Sequence, residues 1–229
     1  MTFDGKPSQA VKDLFNLLKE WGRGDVLIDQ ELADPLAGSL SDESLRGCLH
    51  PVNPRKAALP EDQCLLLARL DTAALPLLDQ SLDIALRQCS RPDLPVRSIG
   101  GWLFGRSASL QWTAQHLESA FVARIEGASD VLLRVWDPRV LPHMVRILTP
   151  EQLAAVMGPV ECWAWLDRSG DLQQLHRPAG TPPARLPLRL SADQDAALDR
   201  IETINSLLKT FASLGHAVQP SRDAELDAL

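Results

Sequence analysis

Hydrophobic positions along the chain follow two different periods as far as residue 176. Apolar side chains three and four positions apart favour helices that bury one face, whereas short apolar or alternating runs favour strands. The helical segments are residues 11–21, 75–86, 109–124 and 140–147. The strand-like segments are residues 26–29, 64–70, 98–104, 162–167 and 171–176. Their interleaving predicts an α/β fold of mixed α+β type, in which helices flank a mixed sheet.

Two local motifs mark where helices begin in the second half of the chain. Thr149-Pro150-Glu151-Gln152 is a Thr-x-x-Gln capping box with proline at the first helical position. Ser191-Ala192-Asp193-Gln194 repeats the box with serine as the cap. Gly158 and Pro159 follow the first of these helices, and they predict its end because neither residue continues a helix well.

The composition of the chain changes at residues 177–187, where four prolines and a glycine fall close together. Such residues disfavour both a helix and a central strand. We therefore predict three parts. They are a sheet-containing N-terminal lobe at 1–176, a proline-rich linker at 177–187, and a small helical C-terminal lobe with a tail at 188–229.

The predicted C-terminal helix, residues 191–214, carries an apolar stripe of Ile201, Ile204, Leu208 and Phe211. A single helix on a short lobe cannot bury all its sides, and an exposed apolar stripe is typical of an interaction surface. Two interpretations stay open. The stripe docks onto the chain's own sheet lobe, or it holds an apolar segment of another chain.

The stretch from Val131 to Leu141 is rich in Val, Leu and Trp and contains Asp137-Pro138-Arg139. It favours a buried strand that ends in a turn, with a helix starting at once. Pro138 has the backbone angle of a first helical residue, and Asp137 stands where an N-cap belongs. We predict that Asp137 and Arg139 form a helix cap and a surface ion pair. A catalytic acid with its partner is the alternative, but no nucleophile or second acid is recognisable.

Composition and charge argue against several classes of partner. The chain has 229 residues, of which 45% are hydrophobic, and a formal net charge of −7 with both signs interspersed. General nucleic-acid binding requires a basic face instead. The N-terminus does not resemble a signal peptide, and no apolar run approaches the roughly 20 residues of a membrane span. We therefore predict a cytoplasmic protein that binds neither nucleic acid nor a membrane.

The sequence also lacks the usual signatures of a metal, cofactor or catalytic site. Its four cysteines and five histidines are scattered without zinc-ligand spacing, which predicts no metal. The segment from Gly100 to Gly105 matches no phosphate-binding motif, so we predict no cofactor, and Gly100-Gly101 within a strand predicts a bulge or a close backbone approach. No nucleophile elbow is present. A non-enzymatic protein is favoured, and a small cytoplasmic hydrolase or transferase with an unrecognised active site stays the alternative.

Several of these segments, taken in order, resemble one protein family. They are the Val26–Asp29 strand, the Gly101-Trp102-Leu103 strand, the 131–141 stretch, Gly158-Pro159, and the Trp163-Ala164-Trp165-Leu166-Asp167 strand. Together they resemble the domain of unknown function 4123 family, which supplies adaptor chaperones for type VI secretion effectors in Gram-negative bacteria. The resemblance is good over about residues 10–176 and loose over 185–215.

This resemblance implies a sheet-containing lobe joined to a smaller helical lobe. It also implies a chaperone, not an enzyme, that holds a toxic effector through the effector's N-terminal region. The chaperone helps to load that effector onto the valine-glycine repeat spike protein. Combined with the apolar stripe, it predicts that Ile201, Ile204, Leu208 and Phe211 contact the effector. Asp137-Pro138-Arg139 and Gly158-Pro159 are then structural motifs.

Overall fold

The computed structural model describes residues 9–30, 48–54, 64–71, 75–89, 91, 94, 97–106, 109–125 and 130–213, without the side chains of 202, 208, 209 and 211–213. The helices are α1 (Gln9–Trp21), α2 (Leu75–Cys89), α3 (Leu110–Ala120), α4 (Leu141–Ile147), α5 (Pro150–Met157) and α6 (Ala192–Ser213). The strands are β1 (Gly24–Asp29), β2 (Leu49–Val52), β3 (Leu65–Leu70), β4 (Ile99–Phe104), β5 (Val122–Ile125), β6 (Asp130–Leu132), β7 (Cys162–Leu166), β8 (Leu172–His176) and β9 (Leu188–Leu190). The predicted mixed α+β class is confirmed.

The larger sheet has six strands in the order β2-β3-β1-β4-β7-β8. Every pairing in it is antiparallel, so the parallel pairing expected of a mixed sheet does not occur there. A smaller sheet has the order β6-β5-β9, and within it β5 and β9 run parallel. Sequence periodicity detects strands but carries no information about the direction of their partners.

Two hydrophobic cores lie on opposite faces of the larger sheet. Alternate residues of β1 enter different cores, because successive side chains of a strand point to opposite faces. Val26 and Ile28 pack with α1 and α2, whereas Leu27 packs with α3, α4 and α5. β1 is consequently buried along its whole length and fixes the centre of a three-layer molecule.

The two glycines of β4 lie where the backbone approaches its neighbours closely. The pairing of β1 and β4 shifts register between Leu27 and Ile28, opposite Gly100 and Gly101. Gly101 has φ +130°, and a Cβ on it would lie 2.5 Å from the carbonyl oxygen of Ala164. The predicted bulge and close approach are both confirmed.

The helix start signals at Thr149 and Ser191 are also confirmed, and the two capping boxes touch. Thr149 Oγ1 accepts a hydrogen bond from Gln152 N, and Ser191 Oγ accepts one from Gln194 N. The side-chain amides of Gln152 and Gln194 then bond each other in both directions, at 2.7 and 3.3 Å. The beginning of α6 is therefore anchored on the beginning of α5.

Removing the threonine cap tests how much this junction stabilises the fold. Thr149→Ala should lower the free energy of unfolding by about 1 kcal/mol, because an amide of the first turn loses its acceptor. Urea unfolding of the variant and the parent measures the difference. Thr149→Ser is the control and should retain most of the stability. Equal midpoints for the alanine variant and the parent would contradict a stabilising cap.

Residues 177–190 run back across the molecule and end in β9. Ala184 N donates to the carbonyl of Glu151, and Leu188 and Leu190 are buried in the core that contains α3 and α5. The segment predicted as the start of a C-terminal lobe is thus tied to the rest of the chain through β5 and α5. Residues 214–229 lie outside the described part, and the division into lobes stays a prediction.

Candidate functional site

The Asp137-Pro138-Arg139 segment forms a tight buried turn that precedes α4. Asp137 N donates to Arg134 O, and Asp137 O accepts from the amides of Val140 and Leu141 at 2.8 and 2.9 Å. Asp137 is only 4% exposed. Its carboxylate accepts from the backbone N, Nε and Nη2 of Arg139 at 2.9, 3.0 and 2.6 Å.

This geometry differs from the sequence prediction in two respects. The helix begins at Leu141, not at Pro138, and its N-cap position is Val140, so Asp137 holds the turn before the helix. The ion pair with Arg139 is buried, not on the surface, since the two side chains are 6% and 16% exposed. The predicted strand is also short, because β6 ends at Leu132 and the residues up to Trp136 turn into the core.

Asp29, at the end of β1, fixes this turn from the other side. Its Oδ2 accepts a hydrogen bond from Trp136 Nε1 at 2.8 Å and another from Arg134 Nη2 at 3.1 Å. The ring of Trp136 packs on Phe121 with 4.9 Å between centroids. Sequence reasoning missed this role of Asp29. The only signal was a carboxylate directly at the end of an apolar strand.

A small cleft opens beneath the turn, between α2, β4 and the β7–β8 connection. Its cavity volume is about 20 Å³. The residues that line it include Gln88, Cys89, Arg97, Trp102, Arg139 and Arg168. We call this the Arg97 cleft. Three arginines from separate parts of the chain therefore line a space of little more than a water molecule.

Arg97 is the most unusual side chain of the cleft. The residue is 7% exposed, and within the described part of the chain its Nη1 has no hydrogen-bond partner. Burial lowers the pKa of Arg97 below its usual value, and the neighbouring charges of Arg139 and Arg168 act in the same direction. A buried guanidinium with an unused donor is costly unless something accepts from it.

The other polar groups of the cleft are already engaged. Gln88 exchanges two 2.9 Å hydrogen bonds with Ser98, which holds the start of β4 against α2. The thiol of Cys89 donates to the carbonyl of Asp167, and burial raises its pKa. A neutral thiol is a weak nucleophile, so Cys89 serves as part of the wall.

Arg168 connects the cleft to α6. Its Nη2 donates to the side-chain oxygen of Asn205, which lies in the middle of that helix. Ile201, one turn earlier, is 5% exposed and packs inward, and Ile204 is half-buried. The next apolar residue, Leu207, is 50% exposed. Ile201 therefore faces the fold, whereas Leu207, about a third of a turn away around the helix axis, faces solvent.

Of the four residues predicted to contact a partner, two have described side chains. Ile201 is covered by the chain itself, while Ile204 borders the open part of α6. The side chains of Leu208 and Phe211 lie outside the described residues, although their backbone belongs to α6. Leu207, which the stripe did not include, is the exposed apolar residue there. The partner-binding role of the four stays a prediction.

Gly158 and Pro159 lie away from the Arg97 cleft, at the end of α5. Gly158 has φ +51°, and a Cβ on it would overlap the imidazole ring of His116 on α3. His116 Nε2 lies 3.1 Å from the carbonyl oxygen of Val156, and burial lowers the pKa of the ring. These two residues therefore end the helix and let α3 and α5 pack closely.

The described part of the chain offers neither a metal-binding cluster nor a membrane-spanning helix. Among these residues, no group of three or more His, Cys, Asp or Glu side chains is placed to hold a metal ion. None of the helices in the described ranges is long and apolar enough to cross a membrane.

Comparison with known proteins gives one match. A family model described as "Domain of unknown function (DUF4123)" matches residues 26–155, which is more than half of the chain. The matched range contains β1 from Val26 onward, the glycine bulge of β4, the Asp137-Pro138-Arg139 turn and the first capping box. No curated protein and no solved structure matches the chain.

Proposed function

The chain belongs to the DUF4123 family, and on this premise we propose that it is an adaptor chaperone. It binds a cognate type VI secretion effector in the cytoplasm, through the N-terminal region of that effector. It then helps to load the effector onto the valine-glycine repeat spike protein. The chaperone performs no chemical reaction on the effector and requires no cofactor.

The single observation that carries the binding proposal is the exposed apolar side chain of Leu207 on α6, a helix whose other side is docked on the fold. Its first turns are held by Gln194 and by the buried Ile201, so the helix has a fixed position on the fold. Beyond them, Leu207 exposes half of its surface next to the half-buried Ile204. A fixed helix that presents a small apolar face, made of Leu207 and Ile204, suits an apolar segment of another chain.

Charge at this face should weaken effector binding strongly. Leu207→Asp should raise the Kd for the effector by at least about tenfold, because burial of one carboxylate against an apolar segment costs more than about 1.4 kcal/mol. Titration calorimetry with the purified N-terminal region of the effector measures this change. Since Leu207 is half exposed, the variant should keep the melting temperature of the parent.

The matched control for this variant is Ser206→Asp. Ser206 is an exposed polar neighbour on the same helix and receives the same charge. It should bind the effector with a Kd within about threefold of the parent, which corresponds to the ordinary effect of a surface substitution. Equal weakening by both substitutions would mean that net charge, and not the apolar face, determines binding.

Loading is tested in cells that carry the secretion system. Deletion of the gene for this chain should abolish secretion of the cognate effector and leave secretion of the spike protein at its normal level. Expression of the parent chain should restore effector secretion, and expression of Leu207→Asp should restore little. Normal secretion of the effector without this chain would contradict the proposal.

A further inference from the structure

The outer edge of β8 is an open edge of the larger sheet. β8 stands last in the strand order, and in the described part of the chain it pairs with no strand except β7. The opposite edge, β2, is protected, because it contains Pro51 and lies against α3. β8 contains no proline and no Asp, Glu, Lys or Arg, and Gln173, Gln174 and His176 are exposed. Such an edge is available for pairing with another strand.

The backbone groups on this edge belong to alternate residues of β8. Asp167 N donates to Asp171 O, and Arg177 N donates to Glu161 O, each at 3.0 Å. Odd-numbered residues therefore face β7, since alternate residues of an antiparallel strand direct their N–H and C=O groups to opposite sides. Among the residues that the structure describes, nothing bonds the outward groups. They are the N–H and C=O groups of the even-numbered residues Leu172, Gln174 and His176.

We propose that this edge pairs with the same edge of a second copy of the chain, antiparallel about Gln174. Gln174 then faces Gln174 of the second copy, and Leu172 faces His176 of the second copy. In this register every outward N–H and C=O group of β8 gains a partner, and the two six-stranded sheets become one. The contact is isologous, so each copy contributes the same residues. This self-association does not depend on the adaptor function proposed above.

Charges at the two ends of β8 favour a second copy as the partner. Asp171 directly precedes the strand and Arg177 directly follows it, and both residues are exposed. They are equally far from Gln174, so the antiparallel register places Asp171 of each copy opposite Arg177 of the other. Arg177 Nη1 donates to Gly158 O at 2.9 Å, and the guanidinium has further N–H groups for a carboxylate. Opposite charges across two strands stabilise their pairing, whereas a parallel arrangement would bring like charges together.

The first experiment measures self-association of the whole chain by sedimentation equilibrium. Concentrations extend to about 0.5 mM, because an interface of one strand edge from each copy is small and gives a weak complex. The parent should show an equilibrium between monomer and dimer. Gln174→Pro should raise the Kd of the dimer at least about tenfold, since proline removes one outward donor from each copy. A parent that stays monomeric over the whole range would overturn the proposal.

Gln174→Ala is the matched control, because it removes the same side chain and keeps the backbone N–H. Its dimer should have a Kd within about threefold of the parent. Proline is compatible with the fold of one copy, since the N–H of Gln174 does not face β7, and thermal melts of both variants check this. Equal weakening of the dimer by proline and by alanine would overturn the backbone pairing.

The second experiment tests the register and stays decisive if Gln174→Pro fails to fold. Asp171→Arg should raise the Kd of the dimer at least about fivefold, because it places like charges opposite each other at both ends of the paired strands. Addition of Arg177→Glu to this variant restores opposite charges, and the double variant should return to within about threefold of the parent Kd. A double variant that dimerises as weakly as Asp171→Arg would overturn the register about Gln174.

Effector binding distinguishes a second copy from a strand of another protein. The Kd for the effector's N-terminal region is measured with the parent and with Gln174→Pro, and the two values should agree because the effector binds at α6. Weaker effector binding by Gln174→Pro, together with a parent that is monomeric without effector, would assign the edge to an effector strand and overturn the second copy. An effector that binds neither form would contradict the proposed function, and sedimentation would still decide whether the dimer forms.

Discussion

Gly101→Ala is expected to lower the free energy of unfolding by about 4 kcal/mol, a larger loss than for any other substitution proposed in this chain. The backbone at Gly101 has φ +130°, which L-residues rarely adopt. The added methyl group would also lie 2.5 Å from Ala164 O and 2.7 Å from Trp163 Nε1. β4 would have to move away from β7, and the hydrogen bond from Trp163 Nε1 to Gly100 O would break. Urea unfolding measures the difference.

Gly22→Ala is the control that separates backbone strain from crowding. Gly22 also has a positive φ, but a Cβ there would meet nothing within 4 Å. Its substitution should lower the free energy of unfolding by only about 1–2 kcal/mol, the cost of the left-handed backbone alone. If Gly22→Ala and Gly101→Ala lowered the free energy of unfolding by similar amounts, crowding by β7 would not contribute to the instability of Gly101→Ala.

Asp137→Ala is expected to lower the free energy of unfolding by about 3 kcal/mol. The substitution removes a buried carboxylate that accepts three hydrogen bonds from Arg139. It leaves the Arg139 guanidinium partly buried beside Arg97 with less negative charge around it. A helix cap on the surface would contribute only about 1 kcal/mol, so the size of the loss distinguishes the buried turn from the cap that the sequence predicted.

An exposed ion pair supplies the control for Asp137. Asp83 and Arg87 lie one turn apart on α2, and their side chains are 61% and 68% exposed. Asp83→Ala should change the free energy of unfolding by no more than about 0.5 kcal/mol, since water screens exposed pairs. Denaturant midpoints of both alanine variants give the comparison. A loss for Asp137→Ala no greater than that for Asp83→Ala would contradict a structural role of the buried turn.

Features that depend on neighbouring residues in the sequence could be predicted. The capping boxes at Thr149 and Ser191 are such features, because each consists of two side chains three positions apart. Strands β1 and β7 could also be predicted, because their runs of consecutive apolar residues are typical of buried strands and not of surface segments. The bulge at Gly100-Gly101 was found for a related reason, because glycine weakens a strand and is typical of positions where the backbone bends or is closely approached.

Features that depend on contacts across the chain could not be predicted. The stretch up to Trp136 has the composition of a strand, yet most of it is a buried turn. Its position is set by Asp29, which is more than a hundred residues away in the sequence. Apolar composition indicates burial but does not decide which backbone conformation achieves it. The strand that was predicted to reach Trp136 therefore ends at Leu132, four residues earlier.

The Arg97 cleft could not be predicted from the sequence for the same reason. Arg97 lies in a segment with no motif, and its burial comes from α2, the Asp137 turn and the β7–β8 connection. No local pattern indicates that Arg97, Arg139 and Arg168 meet. For α6 the pattern was informative but incomplete. It identified an amphipathic helix, and only the fold shows that Ile201 faces inward while Leu207 faces solvent.

The most direct test of the central claim is the mass of the complex formed with the cognate effector. The chain and the effector encoded beside it are co-expressed, purified through a tag on the chain, and analysed by size-exclusion chromatography with light scattering. We expect one peak that contains both proteins, with a mass equal to a fixed ratio of the two. An effector that elutes apart from the chain at micromolar concentration would contradict the adaptor function.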